Sequence, residues 1–148
     1  MTIKDMFSKE RVNFNLRAST KDQVLDELID ILEADEKIID KKEFKKAVLK
    51  REEEFSTGIG MGIAIPHGKS SAVRQASIVF GRSNKGIDYE SMDDKPAYLF
   101  FLIAVPEQSN DVHLRALNEI SRKLMHPDIR EKIFKAESFE DFIKVFEE

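Results

Sequence analysis

The feature that most constrains this chain is the run PAYLFFLIAVP, Pro96 to Pro106. It is apolar almost throughout, and a proline closes each end. It is well short of the ~20 apolar residues a membrane-crossing helix needs. A strand with one wet face would alternate apolar and polar residues, and this run does not. It reads as a strand covered on both faces, which places it at the centre of a sheet.

The rest of the chain supplies what such a strand needs around it. RVNFNLR alternates Val12, Phe14 and Leu16 with polar residues and reads as a half-buried strand. Thr20 with Gln23 forms a capping-box signature, and Val24, Leu25, Leu28, Ile31 and Leu32 follow at helical spacing. Asp40 with Glu43 repeats that signature before Phe44, Ala47 and Val48, the buried face of a second helix that ends near Glu54. The run Glu52-Glu53-Glu54 reads as the solvated end of that helix. GIAIP reads as a short strand ended by Pro66, with Ile65 held extended by the proline after it. ASIVFGRS is a further strand, and GIDYE a short one. After Pro106 a helix is expected from about Asp111 to Met125, with Leu114, Leu117, Ile120, Leu124 and Met125 as its apolar face. PDIREKIFKA and SFEDFIKVFEE give two terminal helices, the second capped by Ser138. There is no internal repeat and no linker. The expected class is α/β: a single domain over 1–148, with a mixed sheet of about five strands flanked by helices.

Composition removes several functions. The 148 residues include no Cys, hence no disulfide framework, thiol nucleophile or thiolate metal site. The net charge is −4, from 24 basic and 28 acidic residues mixed along the chain. That is not the basic patch of a nucleic-acid binder. The stretch MTIKDMFSKERVNF lacks the apolar core of a signal peptide, so a soluble cytoplasmic protein is expected.

The unusual chemistry lies in GIGMGIAIPHGKS, Gly58 to Ser70. A Walker loop needs four residues between its glycine and Gly-Lys-Ser, and here five separate Gly62 from Gly68. The dinucleotide fingerprint fails as well, since Gly58, Gly60 and Gly62 strictly alternate. What the stretch presents is His67, after a strand and a proline, at an expected chain reversal shaped by Gly68. Local context leaves two roles open: a reactive imidazole at a strand end, or a turn histidine capping a carbonyl. His113 and His126 lack metal-ligand spacing. His126, before Pro127, reads as a plain helix-boundary residue. Arg51, from its own context, reads as an exposed arginine paired with an acidic neighbour.

STGIGMGIAIPHGK resembles the active-site segment of the type-2 enzyme IIA family of the bacterial phosphoenolpyruvate-dependent sugar phosphotransferase system, the fructose/mannitol class. The match includes Ile63-Ala64-Ile65-Pro66-His67-Gly68, the upstream pair Arg51-Glu52, and FFLIAVPEQSNDVHL with His113. It covers nearly the whole chain, in order and spacing.

The resemblance implies a phosphotransferase component with no cofactor and no metal. His67 would accept a phosphoryl group on Nε2 from the carrier HPr and pass it to a cysteine of a IIB domain. A backbone carbonyl would hold Nδ1–H. Arg51 and His113 would bind the phosphoryl oxygens, and Lys69 would at most steer charge. Contact with a membrane would be indirect, through a IIC permease. A weak docking surface is expected around His67, with Met61 and Ile63 in an apolar patch. FFLIAVPEQSNDVHLRALNEISRKL is closer to fructose-type members. Two alternatives stand beside this: a nitrogen-related regulatory enzyme IIA, and a non-catalytic ligand-binding module.

Overall fold

The strand expected at the centre is there. The computed structural model describes residues 2–109 and 111–147; Asn110 of the VPEQSNDVHL stretch and the last helical residue expected, Glu148, lie outside them. The central strand β6, Ala97–Pro106, alternates its side chains between two cores. Leu99, Phe101, Ile103 and Val105 join one core, while Phe100, Leu102 and Ala104 join the other. Period-two geometry sends neighbours to opposite faces, so a strand apolar at every position needs a cover on each side.

One cover is the pair α1 (Lys21–Ala34) and α2 (Lys41–Glu54). The other is α3 (Val112–Leu124), α4 (Pro127–Lys135) and α5 (Phe139–Glu147). Both expected caps on the first pair form. Thr20 Oγ1 accepts from Gln23 N at 3.1 Å and Asp40 Oδ1 from Glu43 N at 3.1 Å. The return bond from Gln23 reaches Ser19 N at 3.0 Å, one residue before the cap. Ser138 Oγ accepts from Asp141 N at the start of α5. Arg82, buried, donates from Nη1 to the carbonyls of Ile133, Phe134 and Ala136, and so closes the C-terminal end of α4.

Among the described residues the mixed sheet has six strands. β1 (Val12–Asn13) pairs parallel with β5 (Ser77–Ile87), which pairs antiparallel with β6. The other edge of β6 is shared by two collinear parallel strands, β3 (Ile63–Ala64) and β4 (His67–Ser70). β2 (Gly58–Gly60) pairs antiparallel with β3 at the outside.

Several expectations are corrected here. The RVNFNLR strand is only two residues long, because Arg11 lies in a 3-10 turn and its buried guanidinium bonds Asp35, Met6 and Ile78. ASIVFGRS and GIDYE share a single strand as far as Ile87, with an irregularity between Arg82 and Ile87. GIAIP pairs only at Ile63 and Ala64. His67 stands at no chain reversal; it opens β4, which runs on beside Ile103 of β6. On α3 the buried residues are Ala116, Ile120 and Leu124, whereas Leu114 and Met125 are exposed and Leu117 packs at the margin.

Candidate functional site

The site grows from the break between β3 and β4. Pro66 has no N–H to give the ladder, so the regular strand breaks there although the Pro66 carbonyl still accepts from Ile103 N at 3.0 Å, and the ladder resumes at His67. Ile65 remains tied on both sides: its N–H donates to Thr57 O at 2.9 Å, and its carbonyl lies 3.0 Å from His67 Nδ1. A carbonyl only accepts, so this contact places the proton on Nδ1 and leaves Nε2 with the lone pair. The His67 ring is half-buried. Burial pushes its pKa below the usual 6.5; the Ile65 bond opposes that shift and the charge of Arg51 adds to it. The neutral imidazole is therefore the resting form at neutral pH.

His113, in the first turn of α3, brings its ring centroid to 6.4 Å from that of His67, with the planes tilted by 31°. Its Nδ1 is buried without a hydrogen-bond partner among the described residues. Burial also lowers the His113 pKa, and the nearby His67 and Lys69 charges lower it further.

Arg51 lies in the last turn of α2. Its Nη1 donates to Phe55 O at 2.9 Å, its guanidinium stacks 4.4 Å over the Phe55 ring, and Nε lies 3.8 Å from Glu54. Arg51 and Lys69 border one open depression of about 450 Å³, shared with Lys50 and Glu53. α2 lies against β4 because Gly68 has no side chain: a Cβ there would meet Val48 Cγ2 at 3.0 Å and Phe44 Cε1 at 3.1 Å. So the structure brings His67 and His113 side by side and sets Arg51 and Lys69 on the α2 flank. His126 is not part of the group; it is exposed and lines a different depression with Arg122 and Ile129.

Two readings change. Ile63 is fully buried, so it belongs to no surface patch, whereas Met61 is 48% exposed. The Glu52-Glu53-Glu54 run is not uniformly solvated, since the Glu52 side chain is only 5% exposed. Its carboxylate accepts from Thr57 N and Tyr89 OH, both at 3.0 Å, and from Thr57 Oγ1, and it pairs with Lys21 Nζ at 3.0 Å. This network was missed in the sequence, though a signal existed. Phe44, Val48 and Glu52 recur every four residues, which continues the buried stripe of α2 to Glu52.

Together, fold and site define a layered α/β domain that presents a neutral, tautomer-fixed imidazole beside a second histidine. A family model described as "Phosphoenolpyruvate-dependent sugar phosphotransferase system, EIIA 2" matches residues 5–148, and the chain belongs to that family. It is 42% identical over 145 residues to the PTS system fructose-specific EIIABC component of Bacillus subtilis (strain 168), covering 98% of this chain and 23% of that protein. It thus spans about a quarter of that relative's length. It is also 42% identical over 129 residues to the PTS system fructose-specific EIIA component of Haloferax volcanii, covering 87% of this chain and 84% of that one. Among solved structures, nitrogen regulatory protein IIA-Ntr from Neisseria meningitidis superposes with a TM-score of 0.90, at 28% identity and over 97% of both chains.

Proposed function

We propose that this chain is a phosphocarrier of fructose-type sugar uptake. His67 takes a phosphoryl group from the phosphohistidine of HPr and yields it to a IIB cysteine. As the P–Nε2 bond forms, the donor's P–N bond breaks and its electron pair returns to the donor ring. The IIB thiolate then attacks phosphorus, and the pair returns to Nε2. The observation that carries this reading is the Ile65 carbonyl at Nδ1, which leaves Nε2 as the nucleophile. Burial of the ring keeps that nitrogen unprotonated at neutral pH. Transfer of this kind depends on positioning and charge stabilisation more than on covalent help from the protein. Arg51 supplies a planar fork for two phosphoryl oxygens and His113 a second donor. The setting is the cytoplasm, with a IIC permease as the membrane element. Among the described residues no helix is long and apolar enough to cross a membrane. The 42% identity to fructose-specific proteins favours this reading. The likeness to a nitrogen regulatory protein, at 28% identity, supports the second reading, a regulatory enzyme IIA that acts by phosphorylation-dependent binding.

Two half-reactions separate them. With phosphoenolpyruvate, enzyme I and HPr, the protein is expected to gain one acid-labile, base-stable phosphoryl group, and His67→Ala to gain none. Label appearing on His113 or His126 of that variant would refute the assignment. Phosphorylated protein is then mixed with a fructose-type IIB domain. Loss of label within minutes supports transport; retention with every IIB domain, while exchange with HPr stays fast, supports regulation.

A further inference from the structure

We propose that Glu52 is a positioning residue for His67, acting through the backbone of Thr57 and of Ile65. Its carboxylate binds Thr57 N at 3.0 Å; Thr57 O accepts Ile65 N at 2.9 Å; Ile65 O accepts His67 Nδ1 at 3.0 Å. The anchor stands in the last turn of α2, the helix that also carries Arg51. Displacing Glu52 is therefore expected to disturb the imidazole and the helix turn that carries Arg51.

The burial of this carboxylate needs a reason. A buried charge is costly unless paired and hydrogen-bonded, and Glu53 and Glu54 in the same run stay exposed. Here a carboxylate's four acceptor sites are all taken, two partners to each oxygen: Thr57 N and Lys21 Nζ on Oε1, Thr57 Oγ1 and Tyr89 OH on Oε2. Lys21 comes from the first turn of α1 and also lies 4.7 Å over the Tyr89 ring. The Tyr89 side chain is fully buried. Burial, and then the charge of Glu52, push the Tyr89 pKa well above its usual 10.0, which keeps the phenol a donor. α1, α2 and the segment after β5 thus hold one carboxylate, and that carboxylate fixes the turn leading into the site.

The consequence for transfer rests on the phosphocarrier reading, whereas the tautomer is measurable without any transfer. Long-range proton–nitrogen spectra of ¹⁵N-labelled protein read the two His67 ring nitrogens directly. The wild type is expected to show Nδ1 protonated and Nε2 bare. Glu52→Ala is expected to move both resonances toward a mixed tautomer and to slow uptake from HPr by on the order of tenfold. Glu52→Gln retains an acceptor for Thr57 N and is expected to restore most of both. Leu32→Ala, a buried change on α1 away from this network, controls for lost stability and is expected to leave the His67 resonances in place. Should Glu52→Ala not fold, Glu52→Asp, whose arm is shorter by one methylene, is read in its stead. Wild-type resonances and uptake in the Glu52 variant, or an equal disturbance from Leu32→Ala, overturn the proposal. A wild type that accepts nothing from HPr refutes the phosphocarrier reading instead, and the ring spectra still judge the positioning.

Discussion

Arg51 shows how one side chain serves two descriptions. In the resting structure it caps the Phe55 carbonyl, stacks on the ring and leans towards Glu54, much as a helix-end arginine would. It is also near enough for its charge to weigh on His67. If it clamps the phosphoryl group, the planar fork matters as well as the charge. Charge-assisted hydrogen bonds are worth about 1.5–3 kcal/mol, and about 1.4 kcal/mol is tenfold in rate. Arg51→Lys is thus expected to slow phosphoryl uptake by on the order of tenfold with an unchanged melting temperature, as rapid-quench labelling would show. A wild-type rate would leave Arg51 only its cap on Phe55. At this scale the sequence was informative about side chains and poor about backbone. The family resemblance singled out His67, His113 and Arg51 as candidates, where the local context of His67 and Arg51 alone did not. That Ile65, and not another neighbour of His67, offers its carbonyl to Nδ1 depended on where β3 stops, which no residue type states. The burial of Glu52 was legible in helical spacing, but three successive glutamates disguised it.

At the level of elements, the helices were legible because caps and periodicity agree locally, while the short strands were not. β4 reads His-Gly-Lys-Ser, with no alternation and no β-branched residue. It is a strand because the free edge of β6 offers it a ladder from Ile103 to Pro106. β5 runs past its expected end for a similar reason, since Ala97 of β6 still pairs with Ile87. β4 also bears on function, because α2 rests on it at Gly68. Valine at that position would drive its side chain into Val48 and Phe44 and lift α2, with Arg51 and Glu52, away from His67. Overpacking of this kind costs roughly 1–3 kcal/mol. Gly68→Val is expected to lower the urea midpoint accordingly and to slow phosphoryl uptake more than Leu32→Ala of matched stability does. Equal rates in the two variants would mean that the spacing between α2 and β4 does not matter to the site.

For the whole molecule, one run of sequence foretold the layering. A strand apolar on both faces demanded a cover on each, and among the described residues five α-helices provide it. The same burial makes stability depend on pH through the histidines of the site. Burial depresses both His67 and His113 below 6.5 in the folded state. Glu52 and Glu54 pull His67 the other way, and Asp111 pulls His113, but burial outweighs them. Below pH 6.5 the unfolded chain therefore binds protons that the folded protein resists. With more protons bound in the unfolded state, stability rises with pH. It is complete above about 6.5, the unfolded value, and declines as pH falls towards the depressed folded values. The urea midpoint is expected to be flat from about pH 8 to 7 and to fall from about pH 6.5 to 5.5, a window above the titration of ordinary carboxylates. The double variant His67→Gln/His113→Gln is expected to flatten that fall. If it declines as steeply as the wild type, the acid sensitivity arises outside the site, and the imidazoles are less buried in solution than the structure has them.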